Sequence, residues 1–308
     1  MGEENFALFL TMKKLFSTLT TIALLIFIGQ TAKAQTNQWR PVSGSRQDNI
    51  SGMALIEHNG DKTSFIIVND NKKKEQNHAA IVSVEGRNAP KYQPLKWLGD
   101  DVGTDFEAIS AVPDTKNNFM AFTSAGRVFH IEINRNDNSV KVLKLFDVPN
   151  IPQNSDFEGF ALQKINGILL GVWADRGLDT KPAQLFWAKF DLQTYAFTQV
   201  DSALVKVPYP IGNTRHISDV KVDQSGAVFI SSASDPGNDG PFASAVYFAG
   251  VLNLCNQQHI SFNKSPELAR LFVFDYHKVE AIEFLPGADG GMVFGTDDEN
   301  LGAAIYLH

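Results

Sequence analysis

One short pattern occurs five times along this chain: "NISGMALI" at 49–56, "DFEAISAV" at 105–112, "DFEGFALQ" at 156–163, "HISDVKVD" at 216–223 and "KVEAIEFL" at 278–285. Each copy has a polar residue, then a small or acidic one, then alternating apolar positions, the period-2 signature of a half-buried strand. Aligned on Ser51, Glu107, Glu158, Ser218 and Glu280, the copies lie 56, 51, 60 and 62 residues apart. That spacing is too long for most solenoids and suits a four-stranded propeller blade with its loops. Such a repeat restricts the architecture before anything else is read, because one unit cannot bury its own faces.

Each copy is followed by a second apolar strand that ends in polar residues: "SFIIVNDN", "FMAFTSAG", "ILLGVWADRG", "AVFISSASDPG" and "GMVFGTDDEN". A third strand follows in all five units. A fourth ("YQPLKWLG", "SVKVLKLFDVP", "FTQVDSALVKV", "RLFVFDYH") follows in the first four. Turn signals at Asn59-Gly60, Asn166-Gly167, Gln224-Ser-Gly226 and Asp289-Gly290-Gly291 separate them. The last unit stops after three strands, and "QWRPVSGS" at 38–45 is a strand without a unit. Pairing the two closes the ring and leaves no exposed sheet edge. The expectation is an all-β, five-bladed β-propeller over residues 35–308, its last blade closed by the N-terminal strand. An open sandwich and a sixth blade within 237–275 are the alternatives.

The composition, 44% hydrophobic and 20% charged with 23 Phe, allows one large β core. Lys13 and Lys14, the apolar run 21–28 and Ala32-Lys33-Ala34 read as a signal peptide cleaved before Gln35. Glu3 and Glu4 are wrong for its basic leader, which puts the true start at Met12. The run is short for a bilayer and no later segment could span one, so the mature chain is expected without a transmembrane segment, periplasmic or extracellular. A retained anchor is the alternative. Residues 1–34 carry three Lys and two Glu, so the remainder keeps 24 basic against 32 acidic residues, a net −8. No basic cluster recurs on a repeated face, which argues against nucleic acid as a partner. The lone Cys255 forms no intramolecular disulfide and sits in an apolar context that suits a buried thiol. A monomer is expected.

In a propeller blade the first strand lines the central channel and the second runs antiparallel beside it. Ser51, Glu107, Glu158, Ser218 and Glu280 therefore form one ring. The strand-two ends Asp70, Ser124, Asp175, Asp235 and Asp297 form another at the same mouth. Acids converging in a narrow channel repel, so they stay protonated or share a cation. Oxygen donors suit Ca2+ first and Mg2+ second. Arg176, Arg215, His216 and His277 lie near the same mouth. No G-x-S-x-G, H-E-x-x-H or P-loop occurs.

The series Ser, Glu, Glu, Ser, Glu in "ISGMAL", "FEAIS", "FEGFAL", "ISDVKV" and "VEAIEF" resembles the SdiA-regulated family of bacterial envelope proteins, five-bladed propellers. With "KVEAIEF" it is also similar to the calcium-activated nucleotidases (apyrases), five-bladed propellers with Ca2+ in the central channel. "FEGFAL" and "TDDEN" are similar to phrases of the "esterase-like activity of phytase" family. The resemblance runs over nearly all of the chain beyond residue 34, in short motifs. It implies that Ser51, Glu107, Glu158, Ser218 and Glu280 are a calcium ring, acting through side-chain or backbone oxygens. Two departures speak against a nucleotide-diphosphate pocket. Asn69-Asp70-Asn71 stands where apyrases carry Asp-Asp-Arg, and their paired third-blade arginines reduce to Arg176.

Two functional classes remain. One is a ligand- or protein-binding propeller plugged by Ca2+, ranked first because no complete catalytic motif is present. The other is a Ca2+-dependent hydrolase of phosphoesters or related esters, taking a small phosphorylated or ester ligand. Asp70, Asp175 and Arg176 are its catalytic candidates, and Arg215, His216, Asp235, His277 and Asp297 its substrate contacts.

Overall fold

The computed structural model describes residues 39–255, 259–287 and 290–307. The leader, its cleavage site, Met12 and the side chain of Cys255 lie outside the described residues.

Alternating apolar runs broken by turn residues become 21 strands in five sheets among the described residues. The first strand, β1 (Trp39–Ser43), belongs to the last sheet. Blade one holds β2 (Gly52–Asn59), β3 (Lys62–Val68), β4 (Ala79–Glu85) and β5 (Lys91–Pro94). After β6 (Lys96–Leu98), blade two holds β7 (Phe106–Ala111), β8 (Asn118–Thr123), β9 (Arg127–Asn134) and β10 (Ser139–Asp147). Blade three holds β11 (Phe157–Ile165), β12 (Ile168–Asp175), β13 (Ala183–Asp191) and β14 (Ala196–Val205). Blade four holds β15 (Thr214–Val222), β16 (Ala227–Ser234), β17 (Ala243–Cys255) and β18 (His259–Asp275). Blade five holds β19 (Val279–Phe284), β20 (Met292–Thr296) and β21 (Ala303–Leu307). There β1 pairs antiparallel with β21, Trp39 opposite Tyr306, and supplies the missing fourth strand. Asn166 and Gly167, both at positive φ, make the two-residue turn of the β11–β12 hairpin, as the twist of the paired strands requires.

Two expected strands differ. "YQPLKWLG" splits between blades. β5 ends at Pro94, although the Leu95 N–H still donates to the Ala79 carbonyl of β4 at 2.9 Å. Leu95 then buries its side chain between blades one and two, and β6 runs parallel to β10. Among the described residues, the stretch 237–275 holds no sixth blade: β17 and β18 pair as one long hairpin as far as Cys255 opposite His259.

Five hydrophobic clusters fill the five gaps between neighbouring blades. The inner strands pack in a cycle from β2 through β7, β11, β15 and β19 back to β2. The residue after each ring position is Gly52, Ala108, Gly159, Asp219 or Ala281, four of the five being small. The reason is contact: a Cβ on Gly52 would lie 2.7 Å from the Ala108 Cα, and one on Gly159 would lie 2.9 Å from the Val220 nitrogen. Asp219, the exception, accepts hydrogen bonds from the backbone N–H groups of Val220 (2.7 Å) and Ile282 (2.8 Å), tying blade four to blade five. Further along the inner strands, the Lys221 ammonium donates to the Met53 and Ile109 carbonyls at 2.8 and 3.0 Å. No helix among the described residues is long and apolar enough to cross a membrane.

Candidate functional site

Each ring glutamate sits where its inner strand loses register. The pairing of β7 with β8 jumps between Phe106 and Ala108, that of β11 with β12 between Phe157 and Gly159, and that of β19 with β20 between Val279 and Ala281. Glu107, Glu158 and Glu280 are the skipped residues. A β-bulge breaks the alternation of side chains and re-aims the extra one, a device common beside binding sites. In β15 the break runs from Arg215 to Asp219 and takes in Ser218. Ser51 lies just before β2, its N–H bonded to the Val68 carbonyl. The Ser51 and Ser218 side chains are buried (1% and 0% exposed), and neither hydroxyl has a hydrogen-bond partner.

Three cations enter the same mouth. Arg215 Nη1 donates to Glu158 Oε1 at 3.2 Å and to Glu280 Oε1 at 2.9 Å, while Nη2 pairs with Asp235. Arg176 reaches Glu158 at 2.9 Å and Asp156 at 2.7 Å. Lys278, almost wholly buried, lies 2.7 Å from Glu299, 3.3 Å from Asp297 and 3.4 Å from Glu280. Asn49 donates its amide to Asp297, fastening the loop before β2 to the one after β20.

The charges divide unevenly. Burial pushes the Glu107 carboxyl well above its ordinary value, and Glu158, Asp70 and Glu280 add to the push, which favours its protonated form. Burial also raises Glu158 and Glu280, but Arg215 and Arg176 pull the first back, and Lys278 and Arg215 the second. Burial alone would lower the Arg215 guanidinium; Glu158, Glu280, Asp235 and Glu107 hold it well above its usual value. Asp235 is lowered: burial opposes ionisation, and Arg215 and Lys278 outweigh it. Asp70, mainly through burial and then through Asp297, is raised to about 6.

The structure thus gathers Glu107, Glu158, Glu280, Arg176, Arg215, Asp235, Asp70 and Asp297 at one mouth, with Ser51 and Ser218 at the same register of the inner strands. Three other candidates are engaged elsewhere. Asp175 accepts from the Asp156 and Gly177 N–H groups and lies 3.3 Å from Lys181, shaping its own loop. His216 is buried, with Nε2 against the Asp179 carbonyl at 2.8 Å and Nδ1 accepting from the Val207 N–H at 3.4 Å. His277 packs its ring on Trp39 and binds Asp298 at 2.7 Å. Sequence reasoning overlooked Lys278, two residues before Glu280 and just ahead of β19, and Glu299; neither carries a signal in the linear sequence. A cavity of about 780 Å³ lined by Leu98, Asn117, Arg135 and Lys141 contains none of these residues. Converging, perturbed charges mark the mouth as the stronger candidate.

No family model matches the chain, and no curated protein matches it. Among solved structures it is similar to a GH43 β-1,3-galactosidase bound to galactodeoxynojirimycin (9% identity, 84% of this chain and 89% of that one, TM-score 0.49). It is also similar to a GH43 endo-arabinanase from Bacillus licheniformis (9%, 87% and 96%, TM-score 0.45). A third is a Bombyx mori GH32 β-fructofuranosidase in complex with sucrose (11%, 84% and 60%, TM-score 0.46). At TM-scores below 0.5 these likenesses carry no chemistry over to this chain, and the five blades rest on the strand pairing itself.

Proposed function

We propose that the channel mouth binds a hard divalent cation, Ca2+ ahead of Mg2+, and that the loops around it receive a ligand, in a protein exported to the periplasm or beyond. The observation that carries this reading is the pair of buried, unpartnered hydroxyls of Ser51 and Ser218 at the register of three bulged glutamates. Buried polar groups without partners call for an unseen water or ion. Every donor in the ring is an oxygen, as Ca2+ prefers. Among the described residues no three His, Cys, Asp or Glu side chains converge as a ready metal cluster, so hydroxyl and backbone oxygens must help complete the set. Glu107, Ser51 and Ser218 would hold the ion, with Glu158 and Glu280 joining them. Bound there, Ca2+ would neutralise the acids and polarise a phosphoryl or carbonyl oxygen of the ligand. Arg176, partly exposed beside Asp156, presents a guanidinium to an anionic group.

One observation favours a hydrolase over a binding module. Asp70, with its carboxyl at about 6, can take and return a proton near neutral pH. Thermal melting of the purified chain with CaCl2 and with a chelator tests the metal. A calcium-dependent rise that Glu107→Gln abolishes supports the site, and identical melting in both removes it. Turnover of phosphomonoesters, nucleotides or carboxyl esters that Asp70→Asn abolishes decides for the hydrolase; no turnover by folded protein leaves the binding module.

A further inference from the structure

Two of the ring acids are already compensated by cations. Glu158 is paired with Arg176 and Arg215, and Glu280 with Lys278 and Arg215, so Arg215 is the cation the two share. Arg215 Nη1 bridges these two, from blades three and five, and Nη2 is held by Asp235 of its own blade. Arg215 therefore covers an oxygen of two of the three ring carboxylates that a central cation would need.

The other cations are placed differently. Lys278 is packed against Glu299 and Asp297 and over the Phe242 ring, so it has other partners to hold it. Arg176 has Asp156 as a second carboxylate outside the ring. Arg215 stands in the stretch where β15 and β16 lose register, and Asp235 anchors the far nitrogen of its fork. The guanidinium can thus leave the ring acids without losing its last ion pair.

We infer that Arg215 is a built-in counter-ion that a divalent cation must displace from Glu158 and Glu280, which makes the central site an exchangeable one of low affinity. The inference rests on the proposed metal reading and deepens it. A divalent ion and a guanidinium on the same carboxylates repel strongly at protein dielectric constants, so both cannot keep those oxygens. The resulting site suits the weak range of extracellular calcium modules, roughly 10⁻⁴–10⁻³ M.

The test is calorimetric titration of CaCl2 into the full chain, wild type against Arg215→Gln, with folding checked by circular dichroism. Removing a counter-ion that competes should tighten calcium binding by about tenfold or more. A merely structural arginine gives the opposite sign, because its loss disorders the ring. Weak binding by the wild type and tighter binding by the variant supports both readings. Binding by Arg215→Gln alone supports the inference and overturns a resident cation in the wild type. Equal or weaker binding by the variant overturns the inference and leaves the metal reading standing on the wild type. Absence of binding in both overturns the two together. Should Arg215→Gln not fold, Arg215→Lys takes its place: a point ammonium cannot span three carboxylates as the planar fork does. Tighter calcium binding than wild type then supports the inference, and equal or weaker binding overturns it.

Discussion

Replacing Gly52 by alanine tests the ring where it is narrowest. The added Cβ would lie 2.7 Å from the Ala108 Cα and 2.9 Å from both the Ala108 carbonyl carbon and the Ile109 nitrogen. All three are backbone atoms of β7, so no side-chain rotation relieves the clash. Ordinary contact begins at 3.4 Å, which requires β2 and β7 to part by 3.4 − 2.7 = 0.7 Å. In an open sheet the strands could drift apart. Here β2 also packs on β19, so movement away from β7 compresses the gap between blades five and one and loosens the core between blades one and two. Overpacking of this kind costs about 1–3 kcal/mol. The smaller entropy of an unfolded chain with alanine offsets roughly 0.4–1 kcal/mol of that. Mid-range values leave a net loss of about 1.3 kcal/mol, which lowers Tm by about 3–5 °C in a domain of this size. Melting is followed by circular dichroism in chelator, so that ion binding does not enter the comparison. Gly44→Ala is the control, because nothing lies within 4 Å of its added Cβ. If Gly52→Ala melts at or above the Gly44→Ala control, the inner strands are not held at the described separation and the reasoning fails.

Three further outcomes are expected. Glu107→Gln mimics the protonated carboxyl, so in chelator its Tm should stay within about 2 °C of wild type, a surface-scale change; a larger fall would mean that Glu107 is ionised in the fold. Asp219→Ala leaves the buried Val220 and Ile282 N–H groups without their acceptor and should cost about 1–3 kcal/mol in urea melts, with Asp219→Asn losing less because its amide oxygen still accepts. Burial holds His130 below its ordinary 6.5, with Glu132 opposing, so the unfolded chain takes up the proton first. Its contribution to stability is present above pH 6.5 and is lost as pH falls through the lowered folded value. Melting from pH 7 to pH 5 should therefore decline less steeply in His130→Asn than in wild type.

The site was legible in part. Ser51, Glu107, Glu158, Ser218 and Glu280 stand out because they recur at one register of a repeated strand, and register survives into the fold. Asp175 and His216 were grouped with them by chain proximity to the mouth. Their hydrogen-bonding groups, however, are taken by Asp156, Gly177 and Lys181 in the one case and by Asp179 and Val207 in the other, and a linear reading cannot see which partner such a residue finds first. Lys278 was invisible for the opposite reason: a lysine at a strand start reads as solvated until four carboxylates are found around it.

The sequence by itself determined the all-β class, five repeated blade units, and the completion of the last unit by the orphan strand at 38–45. These follow from short-range period, turn chemistry and the count of strands in each unit, none of which needs a long-range contact. Only the tertiary structure decided where β5 ends and β6 begins, that 243–275 is a single hairpin, and that the three glutamates lie on bulges. It alone decided that Arg215 joins Glu158 and Glu280, 57 and 65 residues away. The physical reason is ring closure. A bulge is defined by the partner strand, and a buried charge by whichever groups the closed ring brings against it, so neither exists in the chain before the blades meet.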